Sequence, residues 1–344
     1  MQRLLGKGLC SEKVTSSGLS LVELMVSVLL GALLSLACTK VYLESVRNFV
    51  LDEELARIQD NGRYSLNLLR RELMLAGFYA GLVSMSDLPS SAVSTDCIGS
   101  GHWALDATAP LDFIDNFDAS RSDALHTVND ITLTCLGADQ IVSGTDIVAV
   151  KRTAGNFTLG NGIYTETASV KRGQWYLRNR NHGGDVQWFF HRSGGFPPAD
   201  TGQDTRVDYW EYYARIFYIR SYSEAVTDGI PTLCSESLGG GGTLGTMITQ
   251  CQVEGVEDMQ IEFGIDSDSD GYANQFIANP GRVDIGNAVV ARIYLLMRSV
   301  SPVPGLVKER IYTLGEKQVR RQDGYLRHVM SITVQMPNLR LAVG

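Results

Sequence analysis

The sequence predicts an α+β protein: one long N-terminal α-helix packed on a mainly antiparallel β-sheet head. Three observations predict it. Residues 24–39 contain no charged side chain. Apolar or small residues then recur in steps of three and four from Leu51 to Ala76, the spacing of one helix face. Beyond residue 80 that rhythm gives way to short runs rich in β-branched and aromatic residues, broken by Gly, Asp, Asn and Ser.

The helix begins as a membrane span. Leu19 to Thr39 covers about 31 Å at 1.5 Å per residue, close to the ~30 Å hydrocarbon core of a bilayer. Before it lies a leader, Met1 to Gly18, carrying Arg3, Lys7 and Lys13 against Glu12. That basic excess predicts a cytoplasmic N-terminus, with the rest of the chain on the far side of the membrane. One acid, Glu23, sits near the start of the apolar run. An acid at a helix centre costs about 2.5–3.5 kcal/mol to insert, so Glu23 calls for a partner. Cys38, preceded by Leu34-Ser35-Leu36-Ala37, fits a lipoprotein acylation site less well than it fits a small apolar residue of the span.

A small residue that precedes the apolar run, rather than following it, departs from an ordinary secretory signal. The arrangement resembles the class III signal of type IV pilins and pseudopilins. The resemblance implies that a prepilin peptidase cuts after Gly18, that the enzyme methylates the new N-terminus at Leu19, and that the apolar helix is kept. Leu19 stands where the family usually has phenylalanine. Glu23 takes the place of the acid at the fifth mature position. Its expected role is assembly: the carboxylate pairs with the amine of an adjacent subunit and so sets register.

From Val41 to Ala76 there is no proline and a single glycine, Gly62. The stripe Leu51, Leu55, Ile58, Gly62, Ser65, Leu69, Leu73 and Ala76 is expected to be buried, with Arg57, Asn61, Arg63 and Arg70 off it, and Gly77 is the expected stop. A helix from Leu19 to Ala76 would be about 87 Å long. The segments Gln59-Asp60-Asn61-Gly62-Arg63 and Leu75-Ala76-Gly77-Phe78, with the ending Pro337-Asn338-Leu339-Arg340, are similar to the PilW family of minor pilins. The similarity is firm at residues 18–79 and 256–340. It implies a type IV pilin-like fold in four parts: a cleaved leader (1–18), a transmembrane and fibre-core helix (19–40), an amphipathic half (41–79) and a periplasmic head (80–344). It also implies a function, joining other minor pilins and the major pilin in a priming or tip complex that starts pilus assembly for twitching motility and adhesion. A type II secretion pseudopilin and a tip adhesin are the alternatives.

In the head, strands are expected at Asp146–Arg152, Ser169–Leu177, Val186–His191, Val207–Arg220, Asp258–Phe263, Val289–Met297 and His328–Met336. The alternation of Met259, Ile261 and Phe263 with Asp258, Gln260 and Glu262 predicts a half-buried strand, and residues 80–145 read as loop. Four cysteines lie in the exported part. They allow three pairings, of which the nearest-neighbour set Cys97–Cys135 and Cys234–Cys251 closes two local loops. An oxidising compartment is implied.

The formal net charge is −8. Removing the leader takes away three basic residues and one acidic one, which makes it −10. A chain this acidic is a poor nucleic-acid binder. Asp266, Asp268 and Asp270 alternate ahead of Gly271, as in the first half of a calcium loop, with Tyr272 and Asn274 as further oxygen donors. The twelfth position is Ile277, so this is no EF-hand, and a bound calcium would need another acid such as Asp284. Gly240 to Gly245 formally fits G-x-G-x-x-G but follows Ser235-Glu236-Ser237-Leu238, which reads as loop, so a surface loop is expected. The histidines (His102, His126, His182, His191, His328) are scattered, and no catalytic constellation emerges, so no enzyme is expected. Tyr209, Trp210, Tyr212, Tyr213, Phe217 and Tyr218 are expected to pack in the sheet rather than bind sugar.

Overall fold

The chain is seen in a computed structural model. It describes residues 18, 20–80, 82, 88–89, 91–97, 101–118, 135, 140–164, 171, 173–182, 185–192, 194–202, 205–239, 246–303 and 305–339. Leu19 and residues 1–17 of the leader lie outside the described residues, as do His126 and the Gly240–Gly245 run. Contacts divide the chain into two compact units, one ending at Asp52 and the other starting at Glu53.

Helix α1 (Leu21–Met74) runs without a break through both stretches of sequence. It ends where expected: Gly77 has a φ of 78°, the left-handed conformation that glycine adopts at little cost after a helix. In the first unit the helix is exposed from Leu21 to Val50. In the second unit the buried stripe begins at Ile58 and continues through Gly62, Ser65, Leu66, Leu69 and Leu73 to Ala76. Leu51 is only partly covered, and Leu55 is exposed, so the one-sided stripe starts later than its spacing suggested.

The head follows as β1 (Leu111–Ile114), β2 (Ile147–Thr153), β3 (Leu159–Gly160), β4 (Ile163–Tyr164), β5 (Trp175–His182), β6 (Asp185–Arg192), β7 (Val207–Arg220), β8 (Thr232–Gly239), β9 (Thr246–Glu254), β10 (Val256–Ile265), β11 (Gln275–Ile277), a short helix α2 (Arg282–Gly286), β12 (Ala288–Arg298), β13 (Lys308–Leu314), β14 (Lys317–Asp323) and β15 (Arg327–Gln335). Every pairing is antiparallel. The long strand β7 is the spine of a nine-stranded sheet. Its first half pairs with β3 and β5, and its second half with β2 and β8. A second sheet has the order β11-β10-β12-β15, and β13 and β14 form a separate hairpin.

Alternation explains the layers. Along β2 and β7, Val148, Val150, Phe217 and Ile219 join the core that holds Ile58, Leu66, Leu69 and Leu73 of α1 and Met259, Ile261, Phe263, Ile293 and Leu295 of the second sheet. Ile147, Ala149, Ala214, Ile216 and Tyr218 point the other way, into a second core. That core is covered by Tyr79 and by Trp103, Leu105 and Phe117, the last three from the stretch expected to be loop. Both faces of β2 and of the second half of β7 are therefore covered, while β4 and much of β9 stay exposed, and part of residues 80–145 acts as a covering layer.

Several expected strands match closely, among them Val207–Arg220. Ser169–Leu177 does not: β5 starts at Trp175 and runs to His182. The half-buried strand Asp258–Phe263 is also corrected. β10 is buried at all ten positions. Asp258 receives Lys317 Nζ at 2.7 Å from β14, and Glu262 receives the Tyr294 hydroxyl at 3.1 Å from β12, so its polar face is covered and supplied with donors. The segment Ser235–Leu238, read as loop, lies within β8. The glycine run thus follows a strand, but it leads into β9 rather than the helix a dinucleotide site requires.

Candidate functional site

The N-terminal end of α1 is built by a local device. Ser20 and Glu23 stand in the S-x-x-E spacing of a capping box, and the Ser20 N–H donates to Glu23 Oε2 at 3.0 Å. The sequence reading missed this signal. It gives Glu23 a role inside its own chain, satisfying one of the donors that every helix start leaves open. The acid also lies at the positive end of the helix, where a negative charge is favoured. Gly18 precedes the helix, and a Cβ there would meet nothing within 4 Å. Residues Leu21 to Val50 expose large apolar side chains, such as Leu24 at 55 % and Leu34 at 67 %, and the helix is long and apolar enough to cross a membrane. Its hydroxyls are internally satisfied: Ser27 donates to Glu23 O, Ser35 to Gly31 O and Thr39 to Ser35 O, each at 2.7–2.8 Å.

The other end of α1 is locked into the head. Glu72, 1 % exposed, accepts Arg152 Nε and Nη2 of β2, both at 2.7 Å, and Arg215 Nη1 of β7 at 2.6 Å. Tyr213 lies under both guanidinium groups, 4.7 Å from that of Arg152 and 4.5 Å from that of Arg215. Burial pushes the Glu72 carboxyl up, but the hydrogen bonds and charge of Arg152, with the charges of Arg215 and Arg71, hold it below its ordinary value of 4.5. Asn61 Nδ2 donates to Glu254 O at 3.1 Å, and Asn338 Nδ2 donates to Met74 O at 2.9 Å. Gly62 lets the helix approach the second sheet: a Cβ there would overlap Met330 Sδ and come within 3.1 Å of Met297 Cγ. The Gln59-Asp60-Asn61-Gly62-Arg63 and Pro337-Asn338-Leu339 motifs thus both contain residues that fasten α1 to the head.

Both nearest-neighbour disulfides are formed, Cys97–Cys135 and Cys234–Cys251. The second joins directly opposed residues of β8 and β9. Cys38 is free and exposed on α1.

In the acidic loop, Asp266, Asp268 and Asp270 each bring an oxygen within 4.8 Å of the others. Asp266 is 2 % exposed, and its two oxygens accept the N–H groups of Ser269 at 2.6 Å and Gly271 at 2.8 Å. Asp270 Oδ1 accepts the Tyr272 N–H, and Asn274 Oδ1 accepts both the N–H and the hydroxyl of Ser267. The expected donors meet, and their own backbone already occupies several of the oxygens. Asp284, considered as an extra ligand, instead caps α2 by accepting the Gly281 N–H at 3.0 Å.

Of the aromatic group, Tyr209, Tyr212, Phe217 and Tyr218 are buried, while Trp210 and Tyr213 are partly covered. Core packing is their role. His191 packs edge-on to Tyr209, with ring centroids 5.4 Å apart.

Comparison with known families gives one finding. The family model of PilW, described as type IV pilus-assembly protein W, matches residues 216–338. That interval runs from β7 through β15 and includes the whole second sheet. Comparisons with curated proteins and with solved structures each found no match. The similarity to PilW therefore lies in the C-terminal part of the head.

Proposed function

We propose that this chain is a minor subunit that joins a priming or tip complex and starts a type IV pilus fibre. The observation that carries the reading is the PilW match over residues 216–338. The exposed apolar half of α1 supports an inner-membrane anchor with the head in the periplasm before assembly, and a place in the fibre or its tip afterwards.

In this reading a prepilin peptidase cleaves after Gly18 and methylates Leu19. The freed ammonium then becomes the partner of Glu23 on an adjacent major or minor pilin. Two unit charges about 4 Å apart at an effective dielectric of about 20 attract by roughly 4 kcal/mol, enough to offset the roughly 2.5–3.5 kcal/mol cost of placing an acid in lipid. Among the described residues, the Glu23 carboxylate accepts only the Ser20 N–H, which leaves it room for a second donor. The Glu72 clamp would carry load between the helix and the head.

Mass spectrometry of the exported protein tests the reading: a mature chain beginning at methylated Leu19 is expected, and one retaining Met1 sinks it. Subunit counting on isolated fibres should find a few copies at an end. Abundance along the whole shaft would exclude the tip role, and lost secretion with intact twitching would turn the reading to a pseudopilin. Calcium at Asp266, Asp268, Asp270, Tyr272 and Asn274 is a separate proposal, supported by the convergence of the three carboxylates. Absence of heat on titration with millimolar calcium would remove it.

A further inference from the structure

A cavity of about 470 Å³ opens in the head between β10, β11, the Asp115-Asn116 turn after β1 and the turn joining β13 to β14. That volume suits a small ligand or one long side chain. Three carboxylates line it, those of Asp115, Glu262 and Glu316. Among the described residues none of the three has an ion pair. Glu262 is 8 % exposed: its Oε2 accepts the Tyr294 hydroxyl, and its Oε1 has no hydrogen-bond donor among the described residues. Its Oε1 stays open on the cleft, where it can accept a further donor.

The nearby basic groups are committed elsewhere. Lys317, the one cation of the lining among the described residues, donates to Asp258 Oδ2 at 2.7 Å and to the Gly144 carbonyl. Arg292, opposite Glu262 across the strand pair, lies over the Phe276 ring at 3.6 Å from its centroid. Behind the lining Asp146 is fully buried, and its oxygens accept the N–H groups of Asn116 and Ile261. Burial drives the Asp115 carboxyl up, and the charge of Glu316 adds to the rise against the lowering effects of Asn116 and Lys317. The wall between the acids is apolar, formed by Phe276, Ile277 and Leu314.

We propose that this cleft binds an alkyl-linked cation, an ammonium or guanidinium group carried on a methylene stem. The charged end would meet Glu262 and Glu316, and the stem would lie along Phe276 and Leu314, the way long basic side chains bury their carbons. An anion would meet three carboxylates against the one lysine seen in the lining. The cation has two sources, a Lys or Arg side chain of a neighbouring subunit or a free alkylamine, and the former source rests on the assembly reading above.

The test titrates the full chain in detergent with agmatine, which carries both cationic groups, by calorimetry. In parallel, Asn279→Cys in a Cys38→Ser background is crosslinked with a photoreactive maleimide in native membranes. Saturable agmatine binding weakened at least tenfold by Glu262→Gln and by Glu316→Gln, and unchanged by the distant Glu309→Gln, establishes the site with a free ligand. No agmatine binding, with a crosslink to a basic segment of a second subunit that Glu316→Gln abolishes, establishes it with a protein partner. Glu316 is exposed, so its variant keeps the test valid should Glu262→Gln fail to fold. Neither signal, or binding weakened equally by Glu309→Gln, overturns the proposal. Loss of the priming role would leave agmatine binding intact, which keeps the two failures distinguishable.

Discussion

The two stretches of α1 obey different rules. From Leu24 to Thr39 the helix is free of charge on every side, is exposed, and satisfies its few hydroxyls with its own carbonyls. From Ile58 onward it is one-sided, buries a narrow stripe, and is held by side chains far away in sequence. One stretch is specified by what surrounds the protein, the other by what the protein wraps around it. Substitutions of the same kind should therefore have opposite consequences in the two.

The largest contrast is at the acids. Glu72→Ala strips Arg152 and Arg215 of their buried partner and should destabilise the head by about 3–5 kcal/mol, measured by denaturant unfolding. Glu23→Ala should leave head stability within error and instead abolish surface filaments, counted by electron microscopy. Equal unfolding midpoints for the Glu72 variant and the parent would break the comparison.

Glycines give a smaller contrast. Gly62→Ala forces Met330 and Met297 aside and should cost about 1–3 kcal/mol of head stability. At Gly31 an added Cβ meets nothing, so Gly31→Ala should raise helicity by circular dichroism, worth about 1 kcal/mol, without touching the head.

Acid titration sharpens the point further. The Glu72 carboxyl is lowered on folding, so its contribution is fully present above its unfolded value of about 4.5 and fades as the pH falls through the still lower folded value. The parent head should lose this part of its stability below pH 4.5. Glu72→Gln, already weaker, should show a shallower fall over the same range. Parallel curves would show that the clamp does not titrate as a unit.

The smallest effect is expected in the exposed stretch. Ser35→Ala removes one back-bond to Gly31 and should shift stability by less than about 0.5 kcal/mol, since such bonds only substitute for solvent or neighbours.

What could be read from the chain follows the same division. Helix, stop glycine, long strand Val207–Arg220 and both disulfides were legible because each rests on local spacing or on few alternatives. Glu72 was not, since it sits on the apolar stripe beside Leu73 and its partners Arg152 and Arg215 lie 80 and 143 residues away. Nothing in a one-dimensional pattern marks an acid as buried when the cations that permit it come from other strands. The covering segment with Trp103 and Leu105 escaped for a related reason: it packs through irregular backbone, so no period announces it. Tyr209 and Tyr212 were placed correctly because aromatic density in a strand points to packing whichever partner arrives. In the acidic loop the sequence foresaw the meeting of three carboxylates. It did not foresee that Asp266 would spend both oxygens on its own turn.

The back-bonded hydroxyls of Ser27, Ser35 and Thr39 carry a consequence for packing against neighbouring helices. Between Leu24 and Thr39 no hydroxyl proton remains to grip a neighbouring rod, and greasy flanks alone let parallel rods slide past one another at little cost. Under the proposed assembly role, the Glu23 carboxylate would then be a notch at the end of this smooth rail, so the axial position of the subunit would be dictated by one oxygen-bearing side chain rather than by the whole length of contact.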